Sequence, residues 1–370
     1  MIYMDHAATT PIMPGVLSVM LPYFTDRFAN ASGTYAAARE TRAAIDRARA
    51  QVALLIGAKP EEIFFTSGGS ESDNWAISGM LRASEPGRRR VVTTAIEHHA
   101  VLGTCELLAR QGYETTLVGV ASDGVVQPRA VEQALTPDTA LLSVMLANNE
   151  TGAIQPVAEL ARLAHARGVP VHTDAVQAVG HIPVDVNALG VDLLSMSAHK
   201  FGGPKGIGVL YVRTGTRLDR LIAGGAQERG MRAGTENTAA IVGMGESARM
   251  AREQLAQNMQ YIAALRDELI DKLAAIPGVT VNAIGAPRLP GHVHLTIEGA
   301  DSATLLMRLD MQGIAASAGS ACTSGAVTRS HVLAAMGSPE GADLRLTLGA
   351  ENTREEIDRV AAALRTILKR

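Results

Sequence analysis

Residues 169–212 read VPVHTDAVQAVGHIPVDVNALGVDLLSMSAHKFGGPKGIGVLYV. Three short apolar runs, 169–173, 191–195 and 207–212, interrupt this stretch, with turn and helix-forming residues between them. The first run delivers Asp174 and Gln177; the second ends in Ser197, His199 and Lys200. Ligands of open α/β sheets gather at such strand ends. Working outward, the same alternation holds from 37 to 213. Further strand-like runs fall at 63–66, 91–95, 115–118 and 140–146, and helical stretches such as 36–56 and 73–83 lie between most of them. The pattern predicts an α/β fold with a mostly parallel sheet flanked by helices.

Residues 236–276 hold no proline and predict a long helix, in which Gly243 and Gly245 permit a bend. Pro277-Gly278 opens a fresh pattern. Strands are expected at 279–283, 292–298 and 344–348, and helices at 301–312, 330–336 and 353–369. A smaller α/β domain is therefore expected beside the large one. The predicted division assigns 15–250 to the large domain, and 1–14 with 251–370 to the small one.

Composition narrows the function. Charged residues make up 19% and hydrophobic ones 47% of 370, as in a soluble globular enzyme. A net charge of −3 without a long basic block argues against direct nucleic-acid binding. Arg88, Arg89 and Arg90 read as a solvated turn before a strand. No apolar run approaches the roughly 18 residues of a membrane span. The start, MIYMDHAATTP, lacks the regions of a signal peptide. Two cysteines make neither a disulfide framework nor a full zinc site, so a cytoplasmic protein with free thiols is expected.

The chemistry-bearing segments each have a bland reading beside the functional one. SGGSES, 67–72, follows a strand and opens a helix; Gly69 and Ser70 suit a phosphate cradle or a plain turn. Asp174 suits a metal ligand, a helix cap or a partner for a heterocyclic nitrogen. Lys200 is either a surface lysine in a turn or, in a partly buried pocket, a Schiff-base former. AIEHHAV, 95–101, places His98 where it could stack on a flat cofactor, bind metal or merely start a helix. In MLANNETG, 145–152, Asn148 and Asn149 suit a turn or a ligand contact. Arg345 in LRLTLG is a strand-edge cation or a carboxylate clamp. SAGSACTSGA, 317–326, places Cys322 in a run that reads as a mobile loop, whereas Cys105 in VLGTCELLA reads as buried and inert. Pyridoxal phosphate needs a lysine, an anion at its ring nitrogen and a phosphate cradle, and candidates for all three are present.

Taken together, these segments resemble the cysteine desulfurases of the NifS/IscS-like branch, within the class V aminotransferase fold. The motifs are MDHAATTP, IFFTSGGSESDNWAI, AIEHHAVLGTC, ANNETGAIQP, HTDAVQAVG, DLLSMSAHKFGGPKGIG, MRAGTENT, ASAGSACTSG, SHVLAAMG and LRLTLG, in order from end to end. The resemblance implies a pyridoxal 5'-phosphate enzyme of transferase fold type I that converts L-cysteine to L-alanine. Lys200 would hold the cofactor, Asp174 its pyridine nitrogen and Gln177 its phenolic oxygen. His98 would stack on the ring and act as acid–base. Gly69, Ser70, Ser197 and His199 would bind the phosphate. Thr235 would reach the phosphate of a neighbouring subunit, which implies a homodimer. Asn149 and Arg345 would orient the substrate. Cys322 would take the sulfur as a persulfide, on a long loop, and pass it to an acceptor protein such as an iron–sulfur scaffold, or to tRNA or cofactor thiolation. His6 stands where Asn or Tyr is more usual, and ANASGTYAAARE replaces a longer segment. An aminotransferase, or a lyase on selenocysteine or cystine, would have no need of the loop thiol. A silent partner subunit would have no need of the intact residue set.

Overall fold

The computed structural model describes residues 1–319 and 329–369. Cys322 lies outside the described residues. Strands β1 (Ile2–Tyr3), β2 (Ile63–Thr66), β3 (Arg90–Thr94), β4 (Glu114–Val118), β5 (Thr139–Ser143) and β6 (Val171–Asp174) are followed by β7 (Leu193–Ser197) and β8 (Gly208–Val212). The chain then forms β9 (Val279–Val281), β10 (His292–Ile297), β11 (Ile314–Ala315) and β12 (Ala342–Thr347).

Seven of these make one sheet in the order β2-β8-β7-β6-β5-β3-β4. Only β8 runs against its neighbours. The four remaining pairings are parallel, as the alternation of runs and helices predicts. Every residue of β5, β6 and β7 is buried, which is why these strands read as continuous runs rather than as alternating ones. Adjacent residues still part to opposite faces. Leu142 and Val92 join Ile45 and Leu160 on one side, while Leu141 and Val91 join Trp75 and Ile77 on the other.

The second sheet is antiparallel, ordered β12-β10-β9, and β1 pairs in parallel with β11. It packs a separate core of Met4, Leu269, Leu295, Leu344, Ile357 and Leu364. The helix Thr238–Ala274 serves both cores: Ile241, Met244 and Ala248 enter the first, and Ile262, Leu265 and Leu269 the second.

Three expectations change. The long helix runs through Gly243 and Gly245 without interruption. Those glycines allow close packing instead: a Cβ on Gly243 would meet Met20 Sδ at 2.5 Å, and one on Gly245 would meet Ala48 Cα at 2.5 Å. The helix expected from 73 begins at Gly69, because SGGSES already contains its first turn. The arginine triplet is also less solvated than expected. Arg88 bonds the carbonyl of Gly168 at 2.7 Å, and Arg90 contacts Asp138 at 3.1 Å.

Candidate active site

Strands β6 and β7 end side by side, with Asp174 opposite Ser195. Beyond their carboxyl ends lies a pocket of 210 Å³. Lys200, His199 and Ser197 enter it from the end of β7, and Asp174 and Gln177 from the end of β6. His98, Asn149, Gly69 and Ser70 complete the wall. A larger hollow of 470 Å³ opens beside Arg88 and Arg213, at the amino ends of β5–β7. It is lined by none of the candidate catalytic, cofactor or substrate residues, so the smaller pocket is the candidate site.

The candidate phosphate cradle has a steric basis. The helix Gly69–Ala83 starts against Val176, and a Cβ on Gly69 would sit 2.6 Å from Val176 Cγ2. Only glycine lets the helix start close over the pocket, where its free N–H groups can meet an anion. His199 stands beside it with Nδ1 3.1 Å from Thr9 Oγ1. Burial, then Lys200 and Lys205, push the His199 pKa down to about 4, so its ring is neutral near pH 7.

The pocket floor is acidic. Asp174 is 6% exposed and accepts the N–H of Val176 at 2.9 Å. Burial raises its pKa, against the pull of His98 and Lys200. Beneath it, burial and the Asp174 charge hold the Asp73 pKa well above the carboxylate range, and burial pushes Glu97 up to about 8. His172, with a ring nitrogen 2.9 Å from each of Ser143 Oγ and Ser195 Oγ, is pushed down to about 3 by burial. The buried acids thus carry raised pKa values even with Lys200 and His98 near Asp174, and further positive charge there would favour their ionised forms. A protonated heterocyclic nitrogen set against Asp174 would supply it.

His98 caps the helix His99–Ala109, and its Nδ1 accepts the N–H of Ala100 at 3.1 Å. That bond leaves the proton of the neutral ring on Nε2. Burial lowers the His98 pKa, opposed by Asp174, so the neutral form is favoured.

Residues 5–10, which the sequence ties to the site only by resemblance, form a strap across it. Lys200 Nζ donates to the carbonyls of Ala7 at 2.6 Å and Ala8 at 2.9 Å. Gln177 Nε2 donates to the same Ala7 carbonyl at 3.0 Å. Thr10 Oγ1 donates to the carbonyl of His199 at 2.9 Å and accepts the N–H of Gly202 at 2.8 Å. Asp73 and Glu97 are likewise not marked by the sequence, because each stands among polar neighbours where an acid is unremarkable.

Two expected residues do not line the pocket. Thr235 is exposed, in the segment before the long helix. Arg345 is buried in β12 behind the wall, where Nη1 donates to the carbonyl of Asn149 at 3.0 Å and Nη2 to Asp5 Oδ1 at 2.9 Å. Cys105 is buried, and burial pushes its thiol up to about 11.

An α/β sheet with a lysine, an aspartate and a helix start converging at its strand ends defines a cofactor-type enzyme of the aminotransferase kind. The aminotransferase class-V family model matches residues 2–360. The cysteine desulfurase IscS of Clostridium botulinum is 46% identical over all of this chain and 94% of its own length. The structure of a NifS-like protein superposes with a TM-score of 0.93 at 36% identity, covering 99% of both chains. SspA, solved in complex with cysteine, matches with a TM-score of 0.83 at 35% identity, over 95% of this chain and all of its own. The chain belongs to the aminotransferase class-V family, and within it to the cysteine desulfurases. Among the described residues, no helix is long and apolar enough to cross a membrane.

Proposed function

We propose that this desulfurase binds pyridoxal 5'-phosphate in the pocket between Gly69 and Lys200 and uses Cys322 as the sulfur acceptor. The reading rests above all on the convergence of Lys200 and Asp174 from neighbouring strands beneath a helix start that has no room for a Cβ. Lys200 would hold the cofactor, Asp174 its ring nitrogen, Gln177 its phenolic oxygen, and Gly69, Ser70, Ser197 and His199 its phosphate. Bound there, the cofactor supplies a sink for the electron pair left when the substrate Cα loses its proton.

The residues carry the remaining steps. Asp174, in its acidic surroundings, keeps a proton on the facing nitrogen. The amine of Lys200, displaced by the substrate amine, is the base that takes the Cα proton. His98, neutral with its proton on Nε2, is placed to donate and recover one. Asn149 and Arg345 orient the substrate carboxylate. The Cys322 thiolate attacks the substrate sulfur: an S–S bond forms, the Cβ–S bond breaks, and the electron pair stays on carbon, which is protonated to give alanine. The persulfide then leaves on Cys322 for an acceptor such as an iron–sulfur scaffold.

The two largest cores fall mainly within a large unit of 15–250 and a small unit of 1–14 with 251–370, and a further cluster joins Ile96 and Met145 of the first to Val332 and Met336 of the second. The exposed position of Thr235 is compatible with reaching the phosphate of a second copy in a homodimer. A cytoplasmic setting is compatible with the unpaired thiol of Cys105. The test is incubation of the holoenzyme with cysteine, followed by alanine quantitation and mass spectrometry of the Cys322 peptide. One added sulfur atom and stoichiometric alanine are expected; a Cys322→Ala protein that turned over cysteine at the parent rate would refute the persulfide role.

A further inference from the structure

The residues on either side of 320–328 return to one buried side chain. Glu150, 2% exposed, stands in the turn after β5, next to the pocket residue Asn149. Its Oε2 accepts the hydroxyl of Ser330 at 2.5 Å. Ser330 in turn caps the helix His331–Met336, where Oγ accepts the N–H groups of Val332 at 3.1 Å and Leu333 at 3.3 Å. On the other side, Gly319 lies flat against the same carboxyl. A Cβ there would be 2.8 Å from Glu150 Cδ and 3.0 Å from His294 Nε2.

Buried polar groups of the small sheet back this contact. His294 Nε2 lies 2.7 Å from Asp343 Oδ1, and its Nδ1 is 3.0 Å from Asn282 Nδ2. Both residues belong to the antiparallel pair β10–β12, which also holds Arg345 opposite His294. Arg345 grips the Asn149 carbonyl from behind. Glu150 is therefore the point where the substrate-side turn, the small sheet and both flanks of the cysteine segment meet.

We propose that Glu150 is a positioning residue for sulfur transfer, tying Gly319 and Ser330 to the turn that carries Asn149. The proposal rests on the desulfurase reading above. Its physical basis is the leash it sets. Cys322 is three residues beyond Gly319, and three residues span at most about 10 Å. Fixing Gly319 thus bounds where the thiol can act, and fixing it to the neighbour of Asn149 refers that bound to the substrate. A misplacement of about 1 Å at a reacting centre can cost on the order of 100-fold in rate.

The test compares holoenzymes carrying Glu150→Ala, Glu150→Gln and Ser330→Ala with the parent. Cofactor absorbance and thermal melting establish that each is folded and loaded. Single-turnover persulfide formation on Cys322 should fall at least about 10-fold in Glu150→Ala at saturating cysteine, with KM within about twofold. Glu150→Gln, which can still accept the Ser330 hydroxyl, should stay within about threefold of the parent. Ser330→Ala should give a partial loss, and the Glu150→Ala/Ser330→Ala pair should be no slower than Glu150→Ala alone. Independently of turnover, alkylation of Cys322 by iodoacetamide without substrate should change severalfold in Glu150→Ala. Parent-like persulfide formation and alkylation in Glu150→Ala overturn the proposal, as does an effect confined to KM. If Glu150→Ala does not fold, parent-like values in Ser330→Ala overturn it. Failure of the desulfurase reading shows separately, as unaltered turnover in Cys322→Ala, while the alkylation result still reports on the tether.

Discussion

Arg345 Nη2 lies 2.9 Å from Asp5 Oδ1, a contact that leaves the guanidinium side chain 5% exposed. The same nitrogen reaches Ser317 Oγ at 2.8 Å, and Nη1 reaches the Asn149 carbonyl. Nε is buried and finds no partner among the described residues. The arginine that is proposed to meet the substrate carboxylate is thus held in place by a carboxylate from residue 5, with one donor in reserve.

Lysine cannot reproduce that fork, because its one nitrogen cannot stand at both positions that Nη1 and Nη2 occupy. Arg345→Lys should lower kcat/KM for cysteine by about 2–3 kcal/mol, or roughly 30- to 150-fold, with the cofactor spectrum unchanged. Steady-state alanine production measures this. A loss under twofold would remove Arg345 from substrate binding.

Borohydride treatment of the holoenzyme should fix one pyridoxyl group on the peptide containing Lys200. Lys200→Ala should take no label there and lose at least about 1000-fold in turnover, since it lacks both the tether and the base. Label found on Lys205 instead would reassign the site.

Gly69→Ala should weaken cofactor binding about 10-fold, because the new methyl would strike Val176 before the helix start could approach the pocket. Removing the obstacle tests the cause. Gly69→Ala/Val176→Ala should recover most of the affinity in a titration of the apoprotein, and failure to recover would place the loss elsewhere.

Glu97 links stability to pH. Its folded pKa is raised to about 8 by burial, so between its ordinary value of 4.5 and about 8 the folded protein holds a proton that the unfolded chain has released. Stability from this group is therefore greatest at low pH, falls as pH rises through that window and levels off above it. Glu97→Gln can still accept bonds from Thr94 Oγ1 and the Met145 N–H but cannot titrate. The stability difference between variant and parent should grow with pH, by at most about 1.4 kcal/mol per pH unit, in urea unfolding between pH 5 and 8. A constant difference would mean that Glu97 is ionised in the fold. His172, whose pKa is lowered, acts in the opposite direction but equally in both proteins.

Much of this architecture was legible because its signals are local. The runs that became β5, β7 and β8 are mostly apolar since both their faces are covered, and each is bounded by a glycine, proline or polar cluster. Asp174, Ser197, His199 and Lys200 stood out because polar groups at the ends of such runs are conspicuous. The strap was not legible: Ala7 and Ala8 act through backbone carbonyls, which any residue possesses. Gly243 and Gly245 misled for a related reason. Glycine in a helix can mark a bend or a close neighbour, and the neighbours, Met20 and Ala48, are more than 190 residues away. The position of Arg345 behind the wall depends on how two sheets meet, which periodicity does not encode.

The pairing of β1 with β11, and of Ala7 with Lys200, has a bearing on biosynthesis. Residues 2–8 leave the ribosome long before the partners that give them structure, and the Lys200 contact alone spans 193 positions. A nascent polypeptide halted before residue 314 lacks the strand that receives Ile2. The strand pairing of Ile2 and the Ala7–Lys200 contact can thus form only late in synthesis, once the distant partners have emerged.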